Sequence, residues 1–255
     1  MKIMDYLFWV IIFGAAIGSF VNVVADRYNT GLSWWRGKSF CFSCNAKLGF
    51  NDLFPIVSFV FLKAKCRYCS SKIPAIVLWT EIIMGVLSVL AFYKFGFSLS
   101  YLIFVSIFAT ILLITIYDLR HFIIPDFFLI TLLFLAFIYV LISDLSIFQS
   151  FFSAVLLALP FLILFLISEG RWLGLGDVKY IAVIGFLLGL AQGLSAVVLA
   201  FWTGAACALL LLSVFKKNLT MKSEVPFGPF LSIGIFLSFY FNIDLFHLNE
   251  FFNFF

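Results

Sequence analysis

Apolar runs too long for a soluble core dominate this chain. They can be read at about 6–25, 74–93, 98–117, 127–143, 148–167, 178–192, 194–215 and 227–243, and most approach the ~20 residues an α-helix needs to cross a bilayer. With 65% hydrophobic and 11% charged residues and a mean hydropathy of +1.20, the composition lies outside that of soluble domains. The expected fold is an all-α polytopic membrane protein of about eight transmembrane helices. The first run is longer than a typical signal-peptide core and is preceded by Asp5 as well as Lys2, so it reads as a retained helix.

Topology follows from the basic residues, which in short loops stay on the cytoplasmic side. Of the 16 Lys and Arg, eight fall in the polar stretch 26–73: Arg27, Arg36, Lys38, Lys47, Lys63, Lys65, Arg67 and Lys72. Loops on the same side add Arg120, Arg171, Lys179, Lys216, Lys217 and Lys222, which leaves Lys2 and Lys94 on the other. This asymmetry predicts both termini outside, an even number of spans, and Asp118, Asp126 and Asp177 at cytoplasmic helix ends. The net charge of +4 is explained by these anchors, with anionic membrane lipid as a partner and no nucleic acid.

The polar stretch divides the chain into helix, loop and helix at 1–93 and a six-helix bundle at 94–255. Four of the five cysteines lie in the loop as Cys41-x2-Cys44 and Cys66-x2-Cys69, with 21 residues between the pairs. Each pair can form a tight turn that presents two sulfurs to one metal, the spacing of a four-thiolate zinc site. A cytoplasmic loop is in a reducing compartment, and one with so little apolar core needs a staple. The plainer alternative is four unligated or redox-active thiols. Trp34 and Trp35 suit either the headgroup layer or packing within the loop, and the aromatic cluster at 251–255 suits an interface.

Ionisable residues at the edge of lipid are costly and mark function by default. Asp118 stands in YDLRHFIIPD and Asp177 in GLGDVK, each at the end of an apolar run. Gly174 and Gly176 allow a bend and a close approach that would let Asp177 project from a helix start. Pro125 suits a first helical turn, with Asp126 helping to start that helix. Two carboxyls brought together can share one proton, because two adjacent negative charges are costly. The ionised member then takes a proton from an attacking water while the other polarises the scissile carbonyl. The plainer alternative is that both aspartates cap helices or pair with Arg120 and Lys179.

These segments resemble the bacterial type IV prepilin peptidases, bifunctional leader peptidases and N-methyltransferases with a G-x-G-D aspartic-protease core. Gly18-Ser19-Phe20, Asn22-Val23-Val24 and Arg27 match the family's first-helix motif, and the paired Cys-x-x-Cys falls at its cytoplasmic zinc loop. Asp118 with Ile124-Pro125-Asp126 matches its D…h-P-D segment; Gly174, Gly176, Asp177 and Lys179 match G-x-G-D-x-K; Pro226-Phe227-Gly228-Pro229-Phe230 resembles its last-helix motif. The resemblance implies catalytic roles for Asp118 and Asp177 and removal of prepilin or pseudopilin leaders after a glycine, at the cytoplasmic face of the bacterial inner membrane. It also implies methylation of the new N-terminus from S-adenosylmethionine, assigned to 1–93, with structural zinc in the loop.

Glu81, in the second helix, matches a position that is often Glu in the family and is a candidate for the cofactor site; the plainer reading is a carboxylate satisfied by Thr80 or Lys72. Blander readings suit the remaining residues: Gly14-x3-Gly18 as a packing face, Gly228 opening a helix with Glu224 near its start, His121 exposed, His247 in a tail, and Cys207 a small buried hydrophobe. The Tyr117-Asp118 and G-L-G-D pair also resembles presenilin, but the zinc loop, the Pro-Asp after Asp118 and the lack of a Pro-Ala-Leu triplet weigh against that. Discontinuous helices and inverted repeats would favour a proton-coupled transporter, and the sequence shows neither, while a pilus-assembly scaffold would not need the aspartates.

Overall fold

The computed structural model describes residues 2–36, 39–143, 145–214 and 226–246. Lys38, Lys216, Lys217, Lys222, Glu224, His247 and the cluster at 251–255 lie outside the described residues. Among the described residues the chain is all-helical, with two isolated β-bridges and no strand. It forms two compact units, Met1–Leu113 and Ile114–Phe255.

The first unit holds α1 (Lys2–Arg27), the short α2 (Val57–Phe61), α3 (Ala75–Phe95) and the first part of α4 (Leu99–His121). Small residues bring α1 onto α3, as expected for the Gly14-x3-Gly18 face: a Cβ on Gly18 would lie 2.6 Å from the Thr80 carbonyl oxygen and 2.9 Å from the Glu81 Cα. The Ser88 hydroxyl lies 3.0 Å from the Val10 carbonyl oxygen and 2.7 Å from the Tyr101 hydroxyl. Such internal pairing is what a lipid environment demands of polar groups.

The second unit holds the end of α4, α5 (Asp126–Ile142), α6 (Ile147–Ser168), α7 (Leu175–Val214) and α8 (Gly228–Phe241). The helical path of α7 breaks at Gly189 (φ 73, ψ −179). A Cβ on Gly193 would lie 3.4 Å from the Gly185 Cα, whereas residues eight apart in a straight helix are ~12 Å apart. The chain therefore doubles back at Gly189, and α7 is a hairpin of two arms, 175–188 and 190–214. Only glycine takes this φ/ψ combination without strain.

Among the described residues five segments are long and apolar enough to span a membrane: Tyr6–Arg27, Ala75–Phe95, Leu99–His121, Ile147–Ser168 and Leu175–Leu211. The runs read separately at 178–192 and 194–215 meet within α7, described as far as Val214, with the break at Gly189 rather than between them. The apolar helices α5 and α8 have 17 and 14 residues, about 26 and 21 Å, shorter than the ~30 Å hydrocarbon layer.

Candidate active site and zinc loop

Asp118 occupies the last turn of α4. That helix stops because Phe122 enters the left-handed region (φ 55), its N–H donating to the Asp118 carbonyl at 2.8 Å. Pro125 is extended at the N-cap of α5, and Asp126 is the first helical residue. The buried Ile124 lies against Gly176, where a Cβ would come within 3.1 Å of the Ile124 Cβ.

Asp118 is 5% exposed. Its Oδ2 accepts the N–H of Gly228, the first residue of α8, at 3.0 Å, where the helix dipole favours negative charge. A Cβ on Gly228 would lie 2.6 Å from that oxygen, so glycine is what allows the amide to come this close. The half-buried Asp177 lies in the first turn of α7, and its carboxylate accepts the Gly174 N–H. Its own N–H donates to the Gly174 carbonyl at 3.1 Å. This is the acidic half of a capping box. Asp118 and Asp177 lie close enough to interact electrostatically.

Lys179 Nζ pairs with Asp126 Oδ1 at 2.7 Å, both side chains exposed, so the Lys179 partner is Asp126 and not Asp177. Neither Gly174 nor Gly176 has a positive φ. They serve close approach, Gly176 to Ile124 and Gly174 to the Asp177 carboxylate, rather than the expected bend. His121 is exposed, its ring 4.4 Å from that of Tyr117, and Cys207 is half-exposed rather than buried.

In the loop, Cys41, Cys44, Cys66 and Cys69 have all four sulfurs within 4.8 Å of one another. The two pairs repeat one local geometry. The Cys41 N–H bonds to the Ala46 carbonyl at 3.0 Å and the Cys66 N–H to the Ser71 carbonyl at 2.8 Å. Bridges join Phe40 to Lys47 and Lys65 to Lys72, and the residue after each second cysteine, Asn45 or Ser70, is left-handed (φ 55 and 57). Sulfurs about 2.3 Å from one tetrahedral centre lie about 3.8 Å apart, and Cys41 Sγ and Cys69 Sγ are 3.8 Å apart. The donor set and its geometry fit structural zinc.

The Cys44 N–H, then the Ser43 N–H and the Ser71 hydroxyl, draw the Cys41 thiol down to about 6. At Cys44 the Ala46 N–H favours the thiolate, but desolvation and the neighbouring Cys69 and Cys41 raise that thiol to about 11. A metal entering this site therefore displaces protons. Nearby, the Gly49 N–H and then Arg67 hold the Asp52 carboxyl below the usual range. Trp34 and Trp35 pack on each other, ring centroids 4.8 Å apart, while Trp35 stays exposed.

Residues 12–95 match the family model described as the bacterial peptidase A24 N-terminal domain, and residues 102–209 match that of the type IV leader peptidase family. A Bacillus subtilis protein named prepilin leader peptidase/N-methyltransferase is 31% identical over 233 residues, 89% of this chain and 91% of the relative. The chain belongs to the type IV leader peptidase family. Proteins of the same name from Dichelobacter nodosus and Pseudomonas aeruginosa are 26% and 24% identical, over 94% and 92% of this chain and 93% and 92% of those relatives. No solved structure matches the chain.

As a type IV leader peptidase, the chain is a multi-pass membrane protein. Sequence reasoning missed the groups around Asp118. Tyr180 is fully buried, close enough to Asp118 to interact electrostatically, and its hydroxyl lies 3.0 Å from Ser232 Oγ. Thr115 donates to the same Ser232 oxygen at 2.7 Å, and Ser232 bonds back to the Gly228 carbonyl at 2.9 Å. A hydroxyl network thus braces the α8 turn whose amide holds Asp118. Tyr180 is the residue after Lys179 in the G-x-G-D-x-K motif; its adjacency to that motif was the available signal.

Glu81 is 5% exposed and accepts the Ile56 N–H at 2.6 Å and the Ser19 hydroxyl. These partners replace the expected Thr80 and Lys72.

Proposed function

We propose that the chain is a membrane-embedded aspartic endopeptidase of the bacterial cytoplasmic membrane. It removes leaders from type IV prepilins or pseudopilins at the cytoplasmic face, cutting after glycine, and then methylates the new N-terminal residue. The observation that carries the peptidase reading is the meeting of Asp118 and Asp177, each held by the N–H of a glycine at a helix start. Fixed amides leave each carboxylate oriented, so the pair needs little reorganisation as charge moves. One carboxyl, protonated, polarises the scissile carbonyl; the other, ionised, takes the proton of the attacking water. The two apparent pKa values belong to the pair. Gly174, Gly176, Pro125 and the Asp126–Lys179 ion pair support the two aspartates by shaping the turns that carry them.

The names of the relatives support the methyl-transfer reading. S-adenosylmethionine would supply an electrophilic methyl group, and residues 1–93 are the part assigned to receive it. In that part the four cysteines would hold one structural zinc. Both termini lie outside in this reading.

The test uses purified protein in detergent and a prepilin peptide with a Lys-Gly-Phe junction, followed by mass. Wild type should cut after the glycine. Asp118→Asn and Asp177→Asn should each lose at least about a thousandfold in rate while remaining monodisperse. Normal cleavage by either variant would overturn the reading.

A further inference from the structure

The first unit contains a buried polar cluster that the peptidase chemistry does not use. Ser19 and Asn22 share one face of α1, and Thr80 and Glu81 face them from α3. The Asn22 amide nitrogen donates to the Gly18 carbonyl at 3.1 Å and to the Thr80 hydroxyl oxygen. The Thr80 hydroxyl donates onward to the Val77 carbonyl at 2.8 Å. Both neighbours of the amide nitrogen thus act as acceptors, which fixes the amide orientation. Asn22 Oδ1 is left buried with no hydrogen-bond partner, on a residue 4% exposed. An unpaired buried acceptor is expensive and calls for an explanation.

The next residue of α3 after Thr80 is Glu81, whose carboxylate has no ion pair to any described residue. Its oxygens take only neutral donors, the Ile56 N–H and the Ser19 hydroxyl. Ile56 adopts φ 62, ψ −50, a strained conformation for a β-branched residue. Such strain persists only where surrounding structure enforces it, and it clusters at functional sites. Here it aims the Ile56 N–H at Glu81, which orients a buried carboxylate that lacks a counter-charge. The α1–α3 cluster therefore offers one carboxyl without a counter-charge and one unpaired neutral acceptor in a low-dielectric setting, the kind of groups that a cation bearing several N–H donors satisfies.

We propose that Glu81 and Asn22 form a binding site for a primary α-ammonium group, oriented by Ser19, Thr80 and the Ile56 amide. An ammonium brings one charge and three N–H donors, which matches the two acceptors that the fold leaves in want. Given the methyl-transfer reading, on which this role rests, such a group has two sources: the N-terminus freed by leader removal, or the amino-acid end of the methyl donor. Ser19, half-exposed, is the member of the cluster open to an incoming group.

The experiment measures binding to the full chain in detergent by calorimetry, apart from turnover. One pair of probes is a mature-pilin N-terminal peptide with a free Phe amine and the same peptide N-acetylated. The other pair is S-adenosylhomocysteine and its des-amino analogue. The site requires at least about a tenfold preference for the ammonium form in one pair, and which pair shows it identifies the source. Glu81→Gln should abolish that preference and Asn22→Ala should reduce it, zinc content and monodispersity reporting the fold of each. Equal binding within both pairs, or a full preference retained in Glu81→Gln, overturns the proposal. Ammonium preference without methyl transfer would leave this site standing and end the methyltransferase reading; methyl transfer without ammonium preference would do the reverse.

Discussion

The four cysteines lie within 28 positions of one another and are placed by two copies of one local turn, with a left-handed residue after each second cysteine. The aspartate centre is built the opposite way. Asp118 and Gly228 are 110 positions apart and meet because Ile124, Gly176 and Gly228 let α4, α7 and α8 approach one another. A local site can be read from spacing but has little apolar core behind it, so a bound metal would add to its stability. A site assembled from packed helices is prearranged without a ligand, and its geometry fails when packing fails.

The sharpest way to break this comparison is to remove a thiolate. Cys44→Ser should lose the metal entirely, from close to one zinc per chain to none, because structural zinc contributes folding free energy of order 10 kcal/mol. Methyl transfer should fall more than leader cleavage in the same preparation, scored by label and by mass shift. Equal loss of both activities in a folded protein would mean that the loop serves one shared site.

Gly228→Ala should leave zinc untouched and slow cleavage by about a hundredfold, the cost of a misplaced catalytic group. The added Cβ would displace either Asp118 or the α8 turn, as its 2.6 Å approach to the carboxylate requires. Cleavage within about twofold of wild type would show that the Gly228 amide does not position Asp118.

In the metal-free protein, alkylation at pH 7 should favour Cys41 over Cys44 by at least about tenfold, since the thiolate is the reactive form and the lower nucleophilicity of the more acidic thiol offsets only part of the difference. The sign follows from the two shifts: pH 7 lies above the Cys41 value of about 6 and far below the Cys44 value of about 11. Labelling of Cys41 should slow as pH falls through 6, where it takes up its proton, and the preference should shrink only as pH rises toward 11, where Cys44 also ionises. Peptide mapping by mass gives the ratio, and equal labelling at pH 7 would contradict the local geometry. The smallest effect belongs to Asp126→Asn, which removes an exposed ion pair of ~0–1 kcal/mol; cleavage should change by less than about fivefold. Complete loss with intact expression would give Asp126 a direct part in catalysis.

The same contrast governs what the sequence alone could reveal. The four-cysteine cluster was legible because Cys-x-x-Cys spacing is itself the geometry, down to the turn after each pair. The proximity of Asp118 and Asp177 to apolar runs was legible, as was the small-residue face of α1 as a packing stripe. The amide that holds Asp118 was not, because a contact across 110 positions leaves no periodic trace. Nor was the Glu81 partner: Lys72 and Thr80 were near in sequence, whereas the Ile56 N–H reaches it through a positive φ that local propensity opposes. Gly185, Gly189 and Gly193 recur every four residues, and composition cannot say which of them carries the reversal; the apolar runs placed the break a few residues too late.

The claim on which the rest depends is that Asp118 and Asp177 act as one proton-sharing unit. It is tested most directly by single-turnover cleavage of a prepilin peptide by Asp118→Asn, Asp177→Asn and the double variant, each compared with wild type. Residues acting as a unit are strongly non-additive, so each single change should cost nearly as much as both together, at least about a thousandfold. A double variant whose loss is the product of two modest single losses would contradict the dyad.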